Sequence, residues 1–145
     1  MSLQPVLDSI PFVAKVGIRC DAFAPGKIAL SLPDHKGNHN HASGLHAGAL
    51  FTLAETAGSA AAATHPDLAS YQLMAKGFTV KYRNAPVGGV VARCHVTSEM
   101  ARTVLWGVTT TGKADLEIPV EIYDSREELV AEFSAHYSFL RQKRG

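Results

Sequence analysis

Between Lys36 and Asp67 the only formally charged side chain, histidines aside, is Glu55. It falls inside a run from His46 to Thr64 that is dominated by alanine, leucine and other uncharged residues. An unpaired carboxylate is costly to bury, and buried Glu is rare. Two readings follow. Glu55 faces water on a partly exposed strip with Thr52, Thr56 and Ser59, or it stands in a partly dry cleft. In a cleft its pKa rises from about 4.3 toward neutrality, which suits a general base. His46-Ala47-Gly48 opens the same run. The first turn of a helix leaves N–H groups without helical partners, and the dipole there favours negative charge. The Ala47 and Gly48 amides therefore form a candidate oxyanion hole for a carbonyl. The alternative is an ordinary helix start capped by Ser43 or His46.

Spacing constrains any joint action of these groups. His46 and Glu55 are nine positions apart, roughly 13 Å along a helix axis. Reacting groups must converge to about 3–3.5 Å. If both act on one carbonyl, Glu55 must come from a second, antiparallel copy of the helix, which demands a homodimer with interfacial sites. His35, His39, His41 and His46 crowd the preceding loop, but no Cys pair or HExxH accompanies them, so no metal is expected. Asn40 and these histidines would then hydrogen-bond backbone near the helix start. Cys20 and Cys94 fall on the apolar faces of strands, as buried structural thiols do. Lys76 is in phase with Met74 and Phe78, which implies either a bulge at Gly77 or an inward contact with an anionic substrate group. Lys81 and Arg83 read as a solvated strand face or as phosphate contacts.

The elements that must position these residues are legible from periodicity. Residues 3–13 read as a short helix or lead-in segment bounded by Pro5 and Pro11. Residues 18–32 alternate with period two around a hairpin-like kink or bulge at Pro25-Gly26. Residues 33–45 are a polar loop. Residues 46–64 form a helix of roughly 28 Å, apolar nearly all round and hence buried. Strands follow at 71–84, 90–98, 115–123 and 129–140. Gly88-Gly89 gives a hairpin signal, and Pro119 suggests an edge strand or bulge. Between them, Glu99–Gly107 reads as a short helix with Trp106 packed on the core. One helix on one antiparallel sheet is an α+β arrangement.

With 145 residues the chain is the size of a single domain, 1–145. Apolar residues at 46% against 19% charged suit a globular fold rather than disorder. A net charge of +1 gives no electrostatic case for nucleic acid or an anionic membrane. No signal peptide or bilayer-spanning stretch is visible, so a cytoplasmic location is expected. The RQKR tail, Arg141 to Arg144, reads as a solvated end.

The segment N-H-N-H-A-S-G-L-H-A-G-A-L-F-T-L-A-E-T-A-G (Asn38 to Gly58) resembles the signature of the hot-dog-fold acyl-CoA thioesterases. It is nearest the phenylacetate-pathway type and an allied uncharacterised hot-dog group. Y-R-N-A-P-V-G-G (Tyr82 to Gly89) resembles that family's second-strand ending. The element order agrees from about residue 12 to 141. The resemblance implies a hot-dog fold, with an antiparallel sheet wrapped around one long central helix. It implies hydrolysis of acyl-CoA thioesters by a homo-oligomer, a dimer or dimer of dimers, with coenzyme A entering as substrate and no further cofactor. Glu55 stands where the family's helix carboxylate attacks the thioester or activates water. His46 matches the loop-to-helix histidine, and Asn40 a loop asparagine near the attacking water or carbonyl. Ala47 replaces the glycine whose amide polarises the carbonyl. Glu55 stands where Asp is commoner, and Ala75 and Lys76 stand where a Ser or Thr often assists. The acyl chain would run near Phe51, with Lys76, Lys81 and Arg83 toward the coenzyme A phosphates. A dehydratase or hydratase would carry a His-Phe-Pro-Gly loop, which is missing. A non-catalytic acyl-CoA sensor would usually carry an added DNA-binding or effector segment.

Overall fold

A computed structural model describes residues 2–142. Two short helices, α1 (Gln4–Asp8) and α2 (Pro11–Val16), lead into a hairpin of β1 (Arg19–Ala24) and β2 (Lys27–Leu32). The long helix α3 (Ala47–Thr64) follows the polar loop. Then come β3 (Tyr71–Tyr82), β4 (Val90–His95), α4 (Ser98–Thr111), β5 (Lys113–Asp124) and β6 (Leu129–Arg141). The strands form one antiparallel sheet in the order β1-β2-β4-β5-β6-β3. Helix α3 packs against every strand from β2 to β6. This is the hot-dog fold.

Small residues let the sheet close on α3. Ala57, Ala61, Ala62 and Leu53 have no accessible surface. At Gly58 the sheet comes closest: a Cβ there would lie 3.2 Å from the hydroxyl of Tyr137 on β6. Opposite α3, Leu30, Leu32, Ile118, Ile122 and Phe139 supply the alternating inward face expected of half-buried strands. Each fully buried Leu or Ile contributes about 1.5–3 kcal/mol from the apolar surface it removes from water.

The structure decides several local expectations. At Pro25-Gly26 the hairpin-like alternative holds: the chain reverses fully between two strands, with Gly26 in the left-handed region (φ 81°). Residues 3–13 hold part of two helices rather than one. Gly88-Gly89 does not close a hairpin: β3 pairs with β6, while β4 pairs with β2 and β5, so residues 83–89 cross over the core. Pro119 sits in the interior strand β5 rather than on an edge. It is tolerated because β4 pairs no further than Cys94↔Val120, leaving Pro119 paired with β6 alone. The bulge in β5 falls at Ile122/Tyr123 instead. Helix α4 runs from Thr97, whose hydroxyl accepts from the Met100 N–H, to the left-handed Gly112. It buries Ala101, Val104 and Val108 at helical spacing, which puts Trp106 on the opposite face, 73% exposed rather than packed on the core. The bulge expected at Gly77 is present: Lys76 is its extra residue, between Ala75 and Gly77, and it faces solvent rather than inward.

Candidate active site

The loop before α3 is held by its own side chains. The Asn40 side-chain oxygen accepts from the N–H groups of Ala42 (2.9 Å) and Gly44 (3.2 Å), fixing the turn that contains the left-handed Ser43. Asn38 donates to the Val16 carbonyl at 2.7 Å and its own carbonyl accepts from the His46 N–H at 2.8 Å, tying the loop to α2. His39 meets Asp34 at 2.5 Å, and His35 accepts from the Gly37 N–H. Asn40 is thus a loop-shaping residue.

His46 caps α3. Its Nδ1 accepts from the Gly48 N–H at 2.8 Å, which assigns the ring proton to Nε2. Ser43 is not the cap. One of the two candidate oxyanion donors is therefore engaged within the loop. The other, the Ala47 N–H, has no acceptor among the described residues and lies on an exposed turn. Tyr82, at the end of β3, donates its hydroxyl to the Ala47 carbonyl at 3.3 Å. Sequence reading missed this residue. Its signal is the alternation of Phe78, Val80 and Tyr82, which turns Tyr82 toward α3.

Glu55 stands two turns further along. It is half-buried, and its carboxylate has no hydrogen-bond or ion-pair partner among the described residues. Thr52, Thr56 and Ser59 do not solvate it, since their hydroxyls bond helix carbonyls at Gly48, Thr52 and Glu55. Burial alone pushes its pKa above the ordinary glutamate value of 4.5. The backbone carbonyl of Glu55 accepts from the buried Tyr137 hydroxyl at 3.3 Å. Burial first, then the charges of Glu55 and Cys94, raise the Tyr137 pKa, while a hydrogen bond with Ser59 opposes them. That phenol stays neutral.

The structure gathers some of the remaining candidates and separates others. Asn40, Ala47, Tyr82 and Arg83 line one groove of about 480 Å³. His46, Gly48 and Thr52 line another, of about 470 Å³, with His35, His39 and Lys15. Phe51 packs edge-on against Phe78 and Phe133, with centroids 4.9 and 5.9 Å away. Lys76 and Lys81 are exposed, and Arg83 pairs with Glu132. Cys94 is buried, and burial pushes its thiol up to about 12; Cys20 is half-buried, with its pKa raised by burial and by Asp21. Among the described residues, no three His, Cys, Asp or Glu side chains gather as a metal site would require. Among the same residues no helix is long and apolar enough to cross a membrane.

Residues 3–138 match the family profile described as a domain of unknown function, DUF4442. The chain is 31% identical to the protein PA5026 of Pseudomonas aeruginosa, a protein of unknown function named a probable thioesterase. That match covers 96% of this chain and 93% of the other, with a TM-score of 0.89. A thioesterase family protein from Silicibacter pomeroyi has the same fold at 20% identity, covering 95% of each chain with a TM-score of 0.74. So does the phenylacetic acid degradation protein PaaI of Thermus thermophilus, at 21% identity over 91% of this chain and 99% of that one, TM-score 0.66. No curated protein matches the chain's sequence.

Proposed function

The chain belongs to the DUF4442 family, and we propose that it hydrolyses acyl-CoA thioesters at sites shared between two copies. The observation that carries this reading is the pairing of features on α3: an unpartnered, half-buried Glu55 carboxylate and an Ala47 amide without an acceptor. The name of the Pseudomonas aeruginosa relative agrees with it.

Chemically, the thioester carbonyl oxygen accepts from the Ala47 N–H of one copy. Glu55 of the other copy removes a proton from water, and the resulting hydroxide attacks the carbonyl carbon. The negative charge that develops on the oxygen is met by the amide and the helix dipole. Collapse breaks the C–S bond, and the thiolate takes the proton that Glu55 holds. In an alternative course Glu55 attacks directly and an anhydride is then hydrolysed. In this reading His46 Nε2–H and the Asn40 amide nitrogen, which line separate grooves, are the donors that would orient the thioester or water. Lys76, Lys81 and Arg83 remain candidates for phosphate contacts, with Arg83 alone lining the Ala47 groove.

Two features support the second copy. The axial offset of Glu55 from the helix start forbids a one-chain site. Strand β3 is twelve residues long and ends the sheet, with its outer edge unpaired among the described residues and Met74 and Tyr82 39% and 49% exposed. Long open edges of this kind are templates for pairing with another chain.

The test is free-thiol release from short, medium, long and aromatic acyl-CoAs, with wild type beside Glu55→Gln. Loss of about 10²–10⁴-fold in turnover, in a variant that stays folded and associated, is the expected result. Full turnover in Glu55→Gln would sink the mechanism. Binding of acyl-CoA without any turnover would replace it with a sensing role.

A further inference from the structure

The sheet leaves one strip of α3 open, and the two N-terminal helices divide it. Helix α2 walls the first half, where Gly48 and Thr52 share a groove with Lys15 and three imidazoles. Helix α1 walls the second half, from Thr56 to Thr64. We infer, resting on the thioester reading above, that the groove between α1 and the second half of α3 holds the acyl chain. The substrate class is then thioesters of unbranched, medium-length aliphatic acids.

This groove has a volume of about 260 Å³. Its outer wall is Leu3, Val6 and Ile10, and Leu73 of β3 closes one side. On α3 the facing residues Ala60 and Ala63 are small, which is what leaves the space open. The hydroxyl hydrogens on that wall are already committed to the helix backbone. Thr56, Ser59 and Thr64 donate to the carbonyls of Thr52 (2.6 Å), Glu55 (3.0 Å) and Ala60 (2.8 Å), one turn back in each case. A ligand carbonyl or carboxylate would lose its water there without gaining a donor from α3, whereas a hydrocarbon loses nothing. Val6 and Ile10, 50% and 43% exposed, present apolar surface that such a chain would cover.

Glu55 stands where the two halves meet. Thr52, three residues before it, lines the polar groove, and Ser59, four residues after it, lines the apolar one. An acyl chain in the apolar groove therefore has its carbonyl end toward the carboxylate, and its polar carrier is directed away from the hydrocarbon wall. The stretch from Thr56 to Thr64 is about 12 Å long. An extended chain with 1.52 Å bonds advances about 1.25 Å per carbon, so roughly nine or ten carbons fill it. A phenylacetyl group is too short to do so. Phe51 is locked among Phe78 and Phe133 and does not line this groove.

Thiol release is measured across acetyl-, butanoyl-, octanoyl-, decanoyl-, hexadecanoyl- and phenylacetyl-CoA, for wild type, Ala63→Phe and Val6→Glu. Decanoate and phenylacetate binding is measured by calorimetry on the same proteins and on Glu55→Gln. The expected result is a maximum of kcat/KM at octanoyl or decanoyl, with the decanoyl-to-butanoyl ratio cut by about tenfold or more in both variants. Decanoate should bind wild type and Glu55→Gln but not Ala63→Phe. Ala63 and Val6 are exposed, and circular dichroism checks each fold; Val6→Glu carries the test if Ala63→Phe fails to fold. A flat profile, or a phenylacetyl maximum untouched by either variant, overturns the groove and leaves thioester hydrolysis standing. Decanoate binding that the variants abolish, with no thioester turned over by wild type, keeps the groove and overturns the hydrolase reading.

Discussion

Glu55 combines two properties that single residues seldom share: it is charged when ionised, and the fold provides it no partner among the described residues. Its raised pKa has consequences in two measurements. As the base, it must be ionised, so the acid limb of kcat against pH should lie above 4.5 and disappear in Glu55→Gln. An acid limb at or below 4.5 counts against a desolvated base. Stability moves the opposite way. The folded chain holds the Glu55 proton to higher pH than the unfolded chain does. Folding is therefore favoured by Glu55 at low pH, and that advantage is lost as pH rises from the unfolded value through the folded one. Urea titrations of wild type and Glu55→Gln across this range should converge at acid pH and diverge above it. Ala47 allows a cleaner test than most backbone donors do. It is the first helical position, where proline is well accommodated, and His46 before it is already extended (ψ 142°). Ala47→Pro should fold and cap normally while deleting the N–H, lowering kcat by about 10²–10³-fold. Unchanged kcat in a folded Ala47→Pro protein would move the oxyanion site elsewhere.

Helix α3 acts as a core element and as the carrier of the site at once. Leu53 is wholly buried two residues before Glu55, so the same helix turn carries a core leucine and the candidate base. Leu53→Ala should cost about 2–5 kcal/mol in chemical denaturation, because sheet and helix cannot collapse fully into the void. A cost below about 1 kcal/mol would show that α3 is loosely held. The hairpin of β1 and β2 has its own tight point. Gly26 is left-handed, and a Cβ there would lie 2.8 Å from the His65 ring and 3.1 Å from the Val96 carbonyl. Gly26→Ala should destabilise through both strain and contact, visible as a lowered Tm with the far-ultraviolet spectrum otherwise retained.

For the whole molecule, the division of the proposed site between copies makes a prediction that no single-chain arrangement shares. Glu55→Gln and Ala47→Pro should each be inactive. Subunit exchange between them should create heterodimers in which one site has both groups intact. Turnover should then reappear at roughly a quarter of the wild-type value, following random pairing of two-fold assemblies with two sites each. Mixing without recovery, under conditions where exchange is verified by mass, would place the carboxylate and the amide in one chain. Association should run through the open edge of β3, and sedimentation should find no stable monomer at working concentrations.

The sequence by itself determined the elements and the outlying residue. The alternation in β2, β5 and β6 and the nearly all-round apolar character of residues 46–64 follow from burial, which is written residue by residue. An isolated carboxylate in such a helix is visible without coordinates. Tertiary structure decided what depends on pairing and on faces. Gly88-Gly89 has hairpin chemistry, yet β3 and β4 part company because β3's partner, β6, lies some fifty residues further along. Trp106 has the largest apolar side chain in α4, yet Ala101, Val104 and Val108 take the core, because helical phase outweighs the size of one residue. Pro119 sits in an interior strand because the pairing of β4 with β5 ends at Cys94↔Val120, one residue short of it. At the site, the sequence offered two equivalent amides at the start of α3. Only the folded loop distinguishes them, because the His46 ring turns back onto Gly48 and leaves Ala47 open. The division of α3's open strip into a polar and an apolar half had no sequence signature, because it depends on where α1 and α2 come to rest.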